Sequence, residues 1–200
     1  MPLIGKQIKI AFFGSLAQAS ISQLSEFWHG LVNSGHPFLW VLRPDVILCE
    51  EGEHVIVPQE LQKGANEKGL IVDWARQEQV LGHDSIGGFL THCGWNSILE
   101  SIVARIPLIC WPQTSDQNIN ADLVSNVLGA GLELEACDRL IVRRAVENLM
   151  GSKREELQNS IDRIAKCAQD VIGAGGSSIH NLGILVEDIK KIKLESQNVE

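Results

Sequence analysis

The chain has 200 residues, enough for one large domain or two small ones with a sizeable core. Its 44% hydrophobic and 21% charged residues are the balance of a folded globular protein, which excludes a mainly disordered chain. A net charge of -8 disfavours general binding to nucleic acid or anionic membranes, while leaving open a local anion site built from backbone amides.

In chain order, Met1 to Lys6 carries no long apolar run, so no signal peptide is expected. Ile8 to Phe13 reads as a strand that ends at Gly14-Ser15. Apolar residues at 21, 24, 27, 28, 31 and 32 form a helical stripe over Ile21 to Val32. Pro37 to Leu42 is a second strand, followed by a polar loop with Glu50, Glu51 and Glu53, and Gly69 to Asp73 is a third. Ser85 to Thr91 is a fourth strand, continuously apolar between its ends, as expected when both faces are buried in a parallel sheet. Trp95 to Val103 is a helix, Pro107 to Trp111 a fifth strand, Asp116 to Val127 a helix and Gly131 to Leu134 a sixth strand. Helices over Arg139 to Met150, Arg154 to Ile172 and Ser177 to Ile192 complete the chain. In the helix over 154–172, the charges are expected to form a solvated face. This alternation predicts an α/β fold with a doubly wound parallel sheet, in which ligands bind beyond the C-terminal strand ends.

The five cysteines are odd in number and none stands in a CxxC spacing, so neither a disulfide framework nor a zinc site is suggested. Cys110 sits in the apolar run Pro107 to Trp111 and reads as a small buried hydrophobe. A reducing, cytoplasmic location fits this usage best. No stretch approaches the ~18 apolar residues of a membrane span, and no lipidation motif follows Ser196.

The most informative segment is Thr91 to Glu100, a strand end, a glycine turn and a helix start. Gly94 is expected to let the backbone turn sharply and approach a ligand. Asn96 and Ser97 lie in the first helical turn, where unpaired amides and the helix dipole favour an anion. His92 can add a donor or a positive charge. Together these could hold a pyrophosphate without a Walker lysine, and Glu100 could accept from two vicinal hydroxyls. Taken alone, the same decapeptide also fits a capped helix behind a packed strand histidine.

The surrounding register is more specific. Trp74-Ala-Arg-Gln77, Val80-Leu-Gly-His83, Gly87 to Ser97, Glu100 to Val103, Ile106-Pro107, Trp111-Pro112 and Asp116-Gln117 follow one another in fixed order. This box resembles the signature box of plant family-1 UDP-dependent glycosyltransferases. Phe13-Gly-Ser15, Phe27 to Leu31, Phe38 to Asp45 and Gly175 to Ser178 extend the resemblance over nearly the whole chain from Ile10. It implies a Rossmann-like doubly wound sheet, the C-terminal half of a GT-B glycosyltransferase. Residues 1–200 would form a single nucleotide-sugar-binding domain, with a core over about 8–172 and a last helix, 177–194, that packs on an N-terminal domain.

The resemblance also implies roles. Trp74 would stack on uracil and the Ala75 backbone would pair with its edge. Gln77 and Glu100 would hold ribose hydroxyls. Ser15, His92, Asn96 and Ser97 would hold the two phosphates, and Trp95, Asp116 and Gln117 would contact the sugar. Simple core packing is the alternative use of Trp74 and Trp95. Gln at position 117 goes with UDP-glucose in the family, where His goes with UDP-galactose. No metal or other cofactor is implied.

Two positions depart from the pattern. Arg76 stands where the family usually has Pro, and Arg105 where it usually has Gly. A positive φ at 105 would strain an arginine by on the order of 1 kcal/mol. The family's acceptor site and its catalytic histidine lie in an N-terminal domain, and none of the six histidines here matches that base. The expected partners are UDP-glucose, a small-molecule acceptor and such a domain. The expected function is therefore inverting transfer of glucose to a hydroxyl or carboxyl of a small plant metabolite. The alternative is a UDP-sugar-binding module without transfer activity. A different nucleotide-binding α/β protein is disfavoured, because no G-x-G-x-x-G follows the first strand.

Overall fold

The computed structural model describes residues 8–12, 19–43 and 69–197. Six parallel strands are present: β1 (Ile8–Phe12), β2 (Phe38–Val41), β3 (Gly69–Val72), β4 (Ile86–Thr91), β5 (Leu108–Cys110) and β6 (Gly131–Glu133). Their order is β3-β2-β1-β4-β5-β6. The direction of winding reverses between β1 and β4, so a crevice opens beyond the ends of these two strands. All six strands expected from the sequence are found, and the fold is the doubly wound α/β sheet. The polar loop expected around Glu50 to Glu53 lies outside the described residues.

The helices among the described residues are α1 (Ile21–Asn33), α2 (Gln77–Leu81), α3 (Trp95–Ala104), α4 (Gln117–Asp122), α5 (Arg139–Met150), α6 (Arg154–Ile172) and α7 (Ser177–Gln197). The backbone divides into two compact units, residues 1–162 and 163–200. The first holds the sheet. In the second, α7 exposes Ile179, Leu182, Leu185, Ile189 and Ile192. Among the described residues, no helix is long and apolar enough to cross a membrane.

α1 starts where Ser20 and Gln23 cap each other. The Ser20 hydroxyl accepts from the Gln23 amide, and the Gln23 side chain accepts from the Ser20 amide. Its apolar stripe, Leu24, Phe27, Trp28 and Leu31, packs on one face of the sheet beside α5. From the sheet side come Phe38, Trp40 and Leu42, two residues apart as strand geometry requires, with Leu90, Ile109 and Trp111 from the neighbouring strands and their ends. Phe27 meets Trp111 edge-on at 4.5 Å between ring centroids. Each such large side chain contributes about 1.5–3 kcal/mol on burial. The two helices touch at Gly30, where a Cβ would come within 2.6 Å of the Val142 Cβ.

An ion pair fixes the same contact. The Glu26 carboxylate on α1 accepts from the Arg139 backbone amide at 2.9 Å and from its Nε at 2.9 Å. Glu26 thereby satisfies an open amide at the start of α5, while Asp138 accepts from the next two, Leu140 and Ile141. The Arg139 side chain, followed by its amide, holds the Glu26 carboxyl down at about 2, against an ordinary 4.5.

Two helical details differ from the sequence reading. The short helix α2 was not anticipated, since five residues after a strand give no periodicity. The helix expected over Asp116 to Val127 begins as α4 and widens at Leu123–Val127, where the Leu128 amide donates five residues back to the Leu123 carbonyl. That is the geometry of a π turn.

Candidate functional site

The site is built where β4 gives way to α3. Phe89 to Thr91 are fully buried strand residues, so the chain leaves the sheet on a rigid base. It must then turn within His92, Cys93 and Gly94. The residue that takes the left-handed conformation is Cys93, at φ 67, while Gly94 is extended at φ -60. This corrects the expectation that Gly94 makes the turn. Glycine at 94 leaves room for the imidazole, because a Cβ there would sit 2.5 Å from the His92 Nε2 and displace that ring. Cys93 is held in its unusual conformation at both ends of its peptide. Its amide donates to the Thr91 hydroxyl at 3.3 Å and its carbonyl accepts from the Asn120 side chain at 3.1 Å.

α3 begins at Trp95 with no side chain capping it. The amides of Trp95, Asn96 and Ser97 therefore start the helix as open donors at its positive end. A cleft of about 400 Å³ covers this end, lined by Gln77, His92, Gly94, Trp95, Asn96, Ser97 and Glu100. Within it, the Gln77 amide donates to the Ser97 Oγ at 3.0 Å and to a Glu100 carboxylate oxygen at 2.7 Å. Because Ser97 accepts from Gln77, its own hydroxyl proton can be directed into the cleft. The Glu100 carboxylate keeps its other oxygen for further donors. Burial lowers the His92 pKa below its usual value, against the opposing pull of the Asp116 carboxylate. The imidazole is therefore neutral near pH 7 and able to gain a proton beside an anion.

A second hollow, about 510 Å³, is lined by Trp74, Ala75, Arg76, Gln79, Val80, His83, Leu39 and Ile86. Trp74 is 68% exposed and Trp95 45% exposed, whereas Trp40 is fully buried. Core packing therefore does not account for Trp74 or Trp95. Both present an aromatic surface to solvent.

Asp116 and Gln117 stand at the start of α4. Asp116 is exposed and its carboxylate accepts from Asn120 at 2.9 Å. Gln117 is 8% exposed, and its side-chain oxygen accepts from the amides of Gln113 and Thr114 at 2.8 and 3.2 Å. Its acceptor end therefore holds the loop, and its donor end is the one available to a ligand.

The structure thus brings Gln77, His92, Trp95, Asn96, Ser97 and Glu100 into one cleft and sets Trp74 and Ala75 in the hollow lined by Leu39 and Ile86. Ser15 lies outside the described residues. Thr91 and Asn120, which hold Cys93, were missed by sequence reasoning. Asn120 could have been found from its spacing, since it stands four residues after Asp116 on a helix. Among the described residues, no group of three or more His, Cys, Asp or Glu side chains is placed to hold a metal ion.

Comparison with known proteins identifies the family and the fold. The family model described as UDP-glucoronosyl and UDP-glucosyl transferase matches residues 6–161. Over 181 residues the chain is 48% identical to 7-deoxyloganetic acid glucosyltransferase of Catharanthus roseus, a match covering 90% of this chain and 37% of that protein. The crystal structure of Os79 from O. sativa in complex with UDP superposes with a TM-score of 0.82 at 32% identity, over 91% of this chain and 40% of the other. Phytolacca americana UGT2, complexed with UDP-2fluoro-glucose and pterostilbene, gives a TM-score of 0.80 at 34% identity, over 91% and 41%. The chain thus spans well under half the length of the relatives it matches.

Proposed function

The chain belongs to the UDP-glucoronosyl and UDP-glucosyl transferase family, and from that premise we propose that residues 74–117 form its donor site, with UDP-glucose as the sugar nucleotide. Its sheet is the Rossmann-like half of the GT-B fold. The observation that carries the proposal is the hydrogen-bonded set Gln77, Ser97 and Glu100 beside His92 at the open start of α3.

Each part of UDP-glucose has a matching group. Trp74 offers an exposed indole face for uracil, with the Ala75 backbone at the base edge. Gln77 already orients Glu100, whose second oxygen can accept from a ribose hydroxyl. The diphosphate finds the α3 amides, the Asn96 and Ser97 side chains and His92. Asp116, the Gln117 donor end and Trp95 face the sugar. UDP bound to Os79 and UDP-2fluoro-glucose bound to Phytolacca americana UGT2 support a uridine-diphosphate ligand. Glucose rests on Gln117 and on the glucosyltransferase among the relatives.

Transfer then follows from charge. An acceptor oxygen attacks the anomeric carbon from the face opposite UDP, a base takes its proton, and the bond from that carbon to the diphosphate breaks. The electron pair leaves with UDP. The helix amides and His92 stabilise the charge that develops on the departing diphosphate. On this reading His92 serves the leaving group and Glu100 the ribose, so neither acts as the acceptor's base. The base and the small hydroxylated or carboxylated acceptor site belong, on this reading, to a companion N-terminal domain. Without it, the chain binds the donor and does not transfer.

Calorimetric titration of the chain with UDP-glucose tests the site. Micromolar to millimolar binding is expected, weakened about tenfold or more by Trp74→Ala or by Glu100→Ala. A parent chain with no detectable binding would overturn the proposal. Adding a panel of acceptors separates binding from transfer, since steady glucoside formation by this chain alone would refute the need for a companion domain.

A further inference from the structure

We infer that Asn120 is a positioning residue for the donor site, acting through Cys93 and Asp116 rather than on the ligand itself. This rests on the donor-site reading above. Asn120 is 9% exposed and lies one turn into α4. Its side-chain nitrogen donates twice, to the Cys93 carbonyl at 3.1 Å and to an Asp116 carboxylate oxygen at 2.9 Å. One amide therefore ties the turn between β4 and α3 to the start of α4. These segments are 27 residues apart in sequence at this bond.

Both of its acceptors matter to the site. Cys93 sits at φ 67, a conformation a residue with a Cβ leaves unless its neighbours hold it. Thr91 holds its amide and Asn120 its carbonyl. Releasing the carbonyl lets the Cys93–Gly94 peptide rotate, which moves His92 and the first amides of α3. Asp116 is exposed, so its carboxylate has many rotamers. The bond from Asn120 selects one, in which the carboxylate favours a proton on His92. Asn suits this place because its nitrogen carries two protons and no charge. Aspartate of the same shape would face two acceptors with none.

The consequence is a graded defect. Sugar contact depends on Asp116 and phosphate contact on the turn, whereas Trp74, Gln77 and Glu100 hold the uridine without Asn120. Asn120→Ala and Asn120→Asp should each weaken UDP-glucose about tenfold and UDP about threefold or less, as losses of one or two hydrogen bonds would. Loss of folded protein would instead reduce both ligands equally.

The experiment is parallel calorimetry of parent chain, Asn120→Ala and Asn120→Asp with UDP-glucose and with UDP, plus NMR titration of the His92 imidazole in the ligand-free chains. The expected result is a fall in the preference for UDP-glucose over UDP, with the His92 titration displaced as Asp116 is released. If one variant fails to fold, the other carries the same comparison. An unchanged preference together with an unchanged His92 titration overturns the inference. A parent chain that binds neither ligand overturns the donor-site reading instead, and the His92 titration then decides alone whether Asn120 governs Asp116.

Discussion

Arg105 offers the sharpest test of the energetics. It closes α3 at φ 59, ψ 39, in the left-handed region. The Ile106 amide donates to the Ser101 carbonyl at 3.0 Å and the Arg105 amide to the Ile102 carbonyl at 3.1 Å. That pairing is a Schellman closure, where glycine is the usual residue. The strain expected for an arginine at this place is therefore present. Placing a Cβ there costs about 1–2 kcal/mol. Against this, Arg105→Gly frees the unfolded chain by about 0.4–1 kcal/mol. It also removes an exposed ion pair to Asp162 at 3.8 Å, worth about 0–0.5 kcal/mol. The hydrogen bond from Gln158 to the Arg105 carbonyl uses the backbone and survives. The balance is a gain of about 0.5 kcal/mol, which at a urea slope of about 2 kcal/mol per molar raises the midpoint by about 0.25 M. Urea unfolding followed by tryptophan fluorescence reads this directly, with Arg105→Ala as the control that keeps the Cβ and loses the ion pair. The alanine variant should gain nothing. If Arg105→Gly is no more stable than Arg105→Ala, the left-handed strain is not a significant cost. UDP-glucose affinity should not change, because Arg105 does not line the cleft and lies about 15 Å along α3 from the helix start.

Glu26→Gln should lower the urea midpoint at neutral pH. Because the folded-state pKa of Glu26 is depressed from 4.5 to about 2, its contribution is present above 4.5 and lost as pH falls toward 2. The gap between parent and variant should therefore close across that window, and a gap independent of pH would contradict the ionic origin. His92 should gain a proton when UDP-glucose binds, since its pKa is lowered in the free chain and a diphosphate raises it. Affinity should rise as pH falls through the bound-state pKa and level off below the free-state value, and His92→Gln should flatten the curve in calorimetry. UDP-glucose is the right ligand because its phosphates do not titrate there. Gln117→Glu keeps an acceptor for the Gln113 and Thr114 amides and removes the donor end. It should leave UDP affinity within about threefold and weaken UDP-glucose about tenfold; equal effects on both ligands would place Gln117 away from the sugar.

The sheet was legible because each strand is a short apolar run closed by a glycine, proline or polar turn. Buried strands such as Ile86 to Thr91 have to be apolar on both sides, so composition alone marks them. The order of the strands was legible only as a class, through the alternation with helices. What escaped was set by contacts rather than by pattern. α2 is five residues long, too short for a hydrophobic period. The Glu26 and Arg139 pair joins residues 113 apart, and nothing in either helix announces the other. The π turn at Leu123–Val127 keeps the apolar content of an ordinary helix, so its wider spacing leaves no compositional mark.

The candidate site divides along the same line. Residues that would meet a ligand stand close in sequence around one strand end, because a helix start concentrates donors within a few residues. Asn96, Ser97 and Glu100 were visible for that reason, and so was the suspect Arg105 at the other end of the same helix. Residues that hold these in place come from elsewhere. Asn120 reaches back to Cys93 from the next helix, and Gln117 spends its oxygen on its own loop. Assigning the sharp turn to Gly94 was the natural choice from sequence, since glycine turns without strain. The structure gives the strained place to Cys93 and uses glycine where a Cβ would push His92 aside. A turn that spends its only glycine on ligand-side space must stabilise its left-handed residue by hydrogen bonds instead. That is why Thr91 and Asn120 both converge on the Cys93 peptide, and why the geometry of this cleft depends on residues that do not line it.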